Sequence, residues 1–250
     1  MSNLTELADI HCHLMPYVDD GAYDREECVA LLRMEAEQGV RSICLTPHLR
    51  SGMFETEDGE ICQRFEQVRE WAAEQALPLT LYHSREYHYD RLFLRRLDED
   101  RLRPLGNGRF LLLEFGGRHQ IPDMLEAISL TLEAGYTPLI AHVERYEPLH
   151  RDWTYAQDLR DAGAYLQINA GSVLGKEGMR QRMLCGKLLR RQLVHVIASD
   201  AHDTRVRVPE LGACAHYLER KLGREYAQQL LCDNPKAVLQ GAKENAPCSK

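Results

Sequence analysis

Short runs rich in branched apolar residues alternate along the chain with longer stretches whose apolar positions recur at intervals of three and four. Seven of the short runs predict strands, at residues 7–12, 42–46, 79–83, 110–114, 137–141, 164–169 and 194–199. They return roughly every 30 residues, the spacing of strand-loop-helix units and too long for hairpins. Between them, Asp24 can cap a helix carrying Val29, Leu32 and Met34 that stops at Gly39. Residues 122–134 form a second helical pattern closed by Gly135, a suitable C-terminal cap. Residues 179–191 and 209–222 read as helices, and Asn234-Pro235 opens a short last one. Strands alternating with helices imply an α/β chain built on a parallel sheet, and seven units favour a closed barrel related to the (β/α)₈ form. An open doubly wound sheet is the alternative, disfavoured because no glycine-rich nucleotide fingerprint follows the first strand.

Composition narrows the class. With 250 residues, 44% of them hydrophobic, the chain can bury a sizeable core, and no Pro/Ser/Gly-rich linker divides it. A single domain over 1–250, with a core from about 7 to 241, is expected. Residues 1–6 lack the basic and apolar regions of a signal peptide, and no apolar run approaches the ~20 residues of a membrane span. A cytoplasmic protein without membrane insertion is therefore expected. The eight cysteines form no disulfide framework and no C-x-x-C zinc pattern, so reduced thiols are expected. A formal net charge of −7 argues against nucleic-acid binding, so an anionic substrate needs a local positive site.

The chemistry collects where the strands end. His11 and His13, His48, Glu86, Glu114, His142, Asn169, then Asp200 and His202 stand at the C-terminal ends of the runs, with Asp20 shortly after the first. In a parallel barrel these ends open onto one face. One such residue would be an ordinary hydrogen-bonded side chain. Nine imidazoles and carboxylates together are costly to bury without cations. A set of this kind without thiolates suits Mn²⁺, Fe or Zn²⁺, and it exceeds the needs of one ion. Two or three ions bridged by carboxylates such as Glu86 would favour hydrolysis of phosphate esters. Arg145, just after His142, and Arg207, just after His202, can offer planar forks to phosphate oxygens, whereas Arg205 reads as a solvated charge.

These residues lie in recognisable strings: Asp9-Ile10-His11-Cys12-His13, Val18-Asp19-Asp20-Gly21, Thr46-Pro47-His48, Gly52-Met53-Phe54-Glu55-Thr56, Leu113-Glu114-Phe115, Ile140-Ala141-His142-Val143-Glu144-Arg145-Tyr146, Asn169-Ala170-Gly171-Ser172 and Ala198-Ser199-Asp200-Ala201-His202. In order and spacing the chain resembles the bacterial capsule and exopolysaccharide protein-tyrosine phosphatases of the polymerase and histidinol phosphatase (PHP) superfamily. The resemblance implies a distorted (β/α)₇ TIM-like barrel and a metal cluster, manganese first and Fe, Zn²⁺ or Mg²⁺ as alternatives. It further implies hydrolysis of phosphotyrosine on a tyrosine kinase of polysaccharide synthesis, by a metal-activated hydroxide. Carried onto this sequence, it makes His11, His13, Asp20, His48, Glu86, Glu114, His142, Asp200 and His202 the metal ligands, with Arg145 and Arg207 near the phosphate. The leaving oxygen would take its proton from His48 or from water. Two segments depart from the family pattern. Ser84-Arg85-Glu86-Tyr87-His88 replaces a small, glycine-containing lead, leaving Glu86 the best match with His83 and His88 nearby, and Leu49 stands where relatives often carry a second histidine.

A competing signature, the C-x₅-R loop of cysteine-based phosphatases, is matched by Cys44 to Arg50. Cys185 to Arg191 and Cys214 to Arg220 match it equally, and Pro47 offers no N–H to a phosphate-cradling loop. A small-molecule phosphatase, for histidinol phosphate as an example, and a non-catalytic barrel that binds metal or a kinase tail are the other readings. The Gly52–Thr56 string weighs against the first and the complete ligand set against the second.

Overall fold

A computed structural model describes Leu4 and residues 6–241. The chain runs β1 (Leu7–Cys12), α1 (Arg25–Glu37), β2 (Val40–Leu45), β3 (His48–Leu49), α2 (Asp58–Glu74), β4 (Thr80–His83), β5 (Glu86–His88), α3 (Arg91–Asp98), β6 (Phe110–Glu114), α4 (Ile121–Glu133), β7 (Thr137–Ile140), α5 (Glu147–Arg151), α6 (Tyr155–Asp161), β8 (Tyr165–Asn169), α7 (Ala170–Leu174), α8 (Met179–Arg190), β9 (Val196–Ala198), α9 (Leu211–Leu222), α10 (Arg224–Gln228) and α11 (Asn234–Gln240). All strand pairs are parallel.

The nine segments are seven strand units, because two units break in the middle. Thr46-Pro47 separates β2 from β3, and Ser84-Arg85 separates β4 from β5. Proline cannot donate to a ladder, so β2 stops before it. Pairing resumes on the far side: the Ser84 N–H donates to the Leu45 carbonyl (2.9 Å) and the Glu86 N–H to the Pro47 carbonyl (3.1 Å). Sheets β1-β2-β4 and β3-β5-β6-β7-β8-β9 thus form one curled surface. A parallel bridge between Cys12 and Ala201 draws its two ends together. The Asp200 N–H donates to the His11 carbonyl and the His13 N–H to the Ala201 carbonyl, each at 2.8 Å. The result is the expected α/β architecture, a distorted barrel of seven strand units.

Its interior is small. Ile10, Cys44, Phe110, Leu112, Leu139, Ala141, Val196 and Ala198 fill it, and Leu105, Val238 and Leu239 plug its N-terminal end. Leu105–Phe110 and α11 meet closely there: a Cβ on Gly106 (φ +56°) would come 2.2 Å from the Leu239 carbonyl oxygen, so only glycine fits. The outer strand faces pack on helices. α4 buries Met124, Ala127, Ile128 and Thr131 at three- and four-residue spacing, each large apolar side chain contributing about 1.5–3 kcal/mol. α1 begins as expected, with the Asp24 carboxylate accepting the Glu27 N–H at 2.9 Å. The pattern gave no warning of α2, although Ile61, Phe65, Val68 and Ala72 form its buried stripe. Among the described residues no helix is long and apolar enough to cross a membrane.

Candidate metal centre

Because side chains at alternate strand positions share a face, the barrel interior changes from apolar to polar along its axis. Phe110 and Leu112 are followed on the same face by Glu114, and Val196 and Ala198 by Asp200. At β1 a register shift between Asp9 and Cys12 bulges the strand, and His11 turns inward. His13 lies beyond the strand, fixed by its bond to Ala201. Three residues at these ends, Tyr17, His142 and Asp200, have φ of 66°, 33° and 52°. Left-handed backbone is strained for non-glycine residues and gathers where side chains must be aimed.

All nine sequence-predicted ligands meet. Their donor atoms fall in four overlapping sets, each within 4.8 Å: His13, Asp20, His48 and His202; His11, Glu86 and His142; His11, His13 and Asp200; His48, Glu86 and Glu114. Glu86 is central. Its Oε1 lies 2.8 Å from His142 Nε2 and 3.3 Å from His11 Nε2, while its Oε2 lies 2.9 Å from His48 Nδ1 and 3.3 Å from His13 Nε2. Asp200 Oδ1 stands 3.4 Å and 3.5 Å from the Nε2 atoms of His11 and His13. Asp20, the most open member with 53% of its side chain exposed, places Oδ1 3.5 Å from His48 Nε2 and 3.6 Å from His202 Nε2.

Several of these atoms lack hydrogen bonds. Glu86 Oε2, His48 Nδ1 and His202 Nε2 are buried without a hydrogen-bond partner, although Glu86 and His48 are close, because they are not aligned on each other. A buried polar atom left unmade costs about 1–3 kcal/mol, and a cation among them removes that cost. Outer partners fix the tautomers that such an ion needs. His11 Nδ1 donates to Gln167 Oε1 (3.1 Å), His13 Nδ1 to Asp19 Oδ2 (2.7 Å) and His202 Nδ1 to the Asp200 carbonyl (2.9 Å), leaving each Nε2 free to bind. The residues present therefore fit a multinuclear cluster of imidazole and carboxylate ligands.

The charges sustain one another. Burial disfavours ionised Glu86, yet the neighbouring His11 and His48 hold its carboxyl well below the usual range. Burial likewise opposes the imidazolium of His11 and His48, but Glu86 and its neighbours lift them to about 9 and about 10. Asp200 is buried and is still held well below the usual range, by Arg145, His11 and Arg207. Its second oxygen explains the arginines: Oδ2 accepts from Arg145 Nη1 (2.7 Å), Arg207 Nη2 (2.8 Å) and Asn169 Nδ2 (2.8 Å). One oxygen faces the histidines and the other the guanidinium groups. Arg145, Lys176, Ser199, Asp200, Val206 and Arg207 line a cavity of about 280 Å³ beside the cluster.

Sequence reasoning missed four residues of the site. Asp19, beside the expected ligand Asp20, orients His13 and also accepts the N–H of His48 (2.9 Å) and Gly21 (3.0 Å). Gln167 binds His11 and, through the same oxygen, the His142 N–H (2.8 Å). Glu177 accepts from Nε and Nη2 of Arg145 (3.0 and 2.8 Å), and Glu144 accepts the Asn169 N–H (2.9 Å). Gln167 two residues before Asn169 was a readable signal, since same-face positions on a strand alternate. The histidines near Glu86 separate cleanly. His88 Nδ1 reaches Glu114 Oε1 at 3.1 Å, whereas His83 packs on Phe65 outside the cluster, its pKa lowered to about 4 by burial and by Arg103. Phe54 stacks on His48 at 5.3 Å between ring centres.

The cysteine signature fails. Cys44 is buried in the barrel interior, and burial pushes its thiol up to about 12. No disulfide joins the seven cysteines of the described residues, Cys12 included.

Comparison with known proteins agrees with this geometry. The profile of a family described as capsular polysaccharide synthesis, CpsB/CapC, matches residues 7–240. The chain is 36% identical to the tyrosine-protein phosphatase CpsB of Streptococcus pneumoniae over 238 residues, 93% of this chain and 98% of that protein. It is 29% identical to the tyrosine-protein phosphatase YwqE of Bacillus subtilis, covering 93% of this chain and 91% of the relative. Its fold matches a solved structure from the work on YwqE and CpsB, described as metal-dependent tyrosine phosphatases, with a TM-score of 0.88 at 27% identity over 95% and 96% of the two chains. A phosphotriesterase homology protein of Escherichia coli shares the fold alone, with a TM-score of 0.59 at 14% identity over 94% of this chain and 99% of that one.

Proposed function

The chain belongs to the CpsB/CapC family of capsular polysaccharide synthesis, and from that premise we propose that it is a metal-dependent protein-tyrosine phosphatase acting in the cytoplasm on a tyrosine kinase of capsule or exopolysaccharide synthesis. One observation carries the reading: nine imidazole and carboxylate groups converge at the strand ends with two guanidinium groups beside them. We assign His11, His13, Asp20, His48, Glu86, Glu114, His142, Asp200 and His202 as the residues that would hold two or three ions, Mn²⁺ first. When bound, the ions supply charge neutralisation and an acidified water for attack on phosphorus.

The chain's own groups do the rest. Arg145 is held in place by Asp200 and Glu177, so its remaining fork direction is set before substrate arrives, and charge developing on the phosphoryl oxygens meets a fixed cation. Arg207, on the same Asp200 oxygen, adds a second. His48 stands between Asp20 and Glu86 at the open side of the cluster; with Nδ1, beside Glu86, assigned to an ion, its Nε2, beside Asp20, would keep a proton to hydrogen-bond the leaving phenolate. Cys44 takes no part. Chelation should abolish hydrolysis of a tyrosine-phosphorylated peptide, restored by Mn²⁺, and Cys44→Ser should leave it within about twofold of the parent. Full activity after chelation, loss only in the cysteine variant, or faster turnover of histidinol phosphate than of the peptide would each overturn the reading.

A further inference from the structure

Outside the metal centre a groove of about 540 Å³ lies between α5, the segment after it and α8. Arg151, Arg180, Arg182, Lys187 and Arg190 line it, and no carboxylate does. This is unusual in a chain whose formal net charge is −7. Helix α8 alone carries four of these cations and neither Asp nor Glu. Glu147, at the upper rim, engages Arg180 (2.8 Å) and Arg151 (3.6 Å). Arg182 and Lys187 lie instead over the rings of Tyr217 and Trp153, at 6.0 and 5.9 Å; Asp152 acts on Lys187 through space, but no carboxylate oxygen of the described residues comes within 4.0 Å of the charged nitrogens of Arg182, Lys187 or Arg190. Aromatic faces hold these side chains extended without neutralising them. Two methionines, Met179 and Met183, are 64% and 62% exposed at the groove wall. Such flexible thioether surfaces suit varied peptide side chains.

The groove adjoins the reacting centre through the chain. Glu147 follows two residues after Arg145, and Met179 two residues after Glu177, the partner of Arg145. The Arg145–Glu177 and Arg180–Glu147 ion pairs, each at 2.8 Å, place the starts of α5 and α8 beside Arg145, within reach of residues that flank a phosphorylated side chain held there. Resting on the phosphatase reading above, we propose that this groove docks an acidic stretch of the substrate polypeptide flanking the phosphotyrosine. Charge complementarity selects acidic side chains, and the apolar methionine wall accepts residues between them. Recognition there is independent of the chemical step.

The test uses the metal-loaded full chain and phosphotyrosine peptides that differ in their flanks: Glu/Asp before the phosphotyrosine, Glu/Asp after it, or Gln/Asn on both sides. One acidic arrangement should lower KM by about tenfold against the neutral peptide with kcat unchanged, and the advantage should fade at about 0.5 M salt. Neutralising the groove in R182Q/K187Q/R190Q should bring the KM ratio near one while turnover of free phosphotyrosine stays the same. Arg190→Gln alone, at an exposed position, should give a partial loss and guards against a misfolded triple variant. Fluorescence anisotropy with acidic peptides carrying phenylalanine in place of phosphotyrosine measures docking without turnover, so it separates failure of the groove from failure of the phosphatase reading. Equal binding of acidic and neutral peptides, or a salt-sensitive preference that survives the triple substitution, would overturn the proposal. So would loss in the triple variant of binding to phosphatidylserine vesicles alone, with peptide KM unmoved.

Discussion

Gln167 touches no proposed ion, yet its removal should change how tightly the centre holds metal. Its Oε1 accepts two donors, the His142 N–H at 2.8 Å and His11 Nδ1 at 3.1 Å, and its Nε2 donates to Asn169 Oδ1 at 2.8 Å. The backbone N–H can only donate, so the amide orientation is fixed, and with it the tautomer of His11. Gln167→Leu keeps the volume and orphans both buried donors. At about 1–3 kcal/mol for each, the metal-free protein should lose about 2–6 kcal/mol of stability. His142, whose left-handed backbone depends on that bond, and His11, freed to rotate, should together weaken metal binding by about 10–100-fold, or about 1.4–2.7 kcal/mol. The assay is phosphopeptide turnover titrated with Mn²⁺ after chelation, beside thermal unfolding of the metal-free chain. The titration midpoint should move by one to two orders of magnitude, with most of the maximal rate recovered at saturation. Gln167→Glu keeps an acceptor for both donors and should restore the midpoint while leaving the Asn169 contact unfavourable. A midpoint unchanged in Gln167→Leu would refute the assignment of Gln167 as the residue that positions His11 and His142.

Three further outcomes follow from other parts of the structure. A Cβ on Gly21 would lie 1.9 Å from the His13 carbonyl oxygen, so Gly21→Ala must push the Asp19–Asp20 turn off His13; metal content after purification should fall well below that of the parent, at a stability cost of at least about 1–3 kcal/mol. Arg145→Lys cannot hold Asp200 and Glu177 while presenting a fork, and kcat should drop about 100-fold with metal content unchanged, as measured by steady-state kinetics and elemental analysis. His195 accepts the Leu166 N–H at 2.9 Å, and burial, with Arg160 nearby, lowers its pKa to about 3. Its neutral form is the native one, so its contribution is complete above pH ~6.5 and is lost as pH falls toward about 3. His195→Gln should flatten the stability profile across that window by about 2 kcal/mol, the value discounted for partial exposure, in chemical denaturation at stepped pH.

Much of the candidate site was legible because the side chains that converge in a parallel barrel sit at its strand ends, and strand ends are marked by where apolar runs stop. Glu114 after Phe110 to Leu113 and Asp200 after Val194 to Ser199 needed nothing more. What escaped depended on contacts that no local pattern encodes. Glu177 lies in an irregular segment beyond α7, and only the closing of the barrel brings it to Arg145. Asp19 and Asp20 are adjacent and alike in sequence, and their division into an orienting group and an exposed one is made by the turn around Gly21. The breaks after β2 and β4 were partly visible, since Pro47 cannot sit inside a ladder, but Ser84-Arg85 carries no such mark. Arg85 interrupts its strand unit by reaching out to the carbonyl of Thr56 and toward Asp58 (3.8 Å), both distant in sequence.

The position of the centre also bears on the stability of the barrel. The seam between first and last strands is short: one bridge, Cys12 to Ala201, two backbone bonds at 2.8 Å, and the Asp9 carboxylate accepting from the Ser199 N–H (3.0 Å) and hydroxyl (2.5 Å). His11 and His13 lie on one side of that seam and Asp200 and His202 on the other, so any ion held by the set of His11, His13 and Asp200 ties the chain's beginning to its end. Such a cross-link closes a loop of nearly the whole described chain, the geometry in which closure is entropically dearest and a link most effective. Metal that binds only the folded state should raise stability by about 2.7 kcal/mol at a hundredfold excess over its dissociation constant. Because His11 is lifted to about 9 by Glu86 and Asp200 once burial is overcome, metal must displace a proton there. The stabilisation should therefore shrink as pH falls, and thermal shifts with Mn²⁺ measured from pH 8 to pH 6 should show it. Metal-independent melting, or a shift equal at both ends of that range, would place the ions away from the seam.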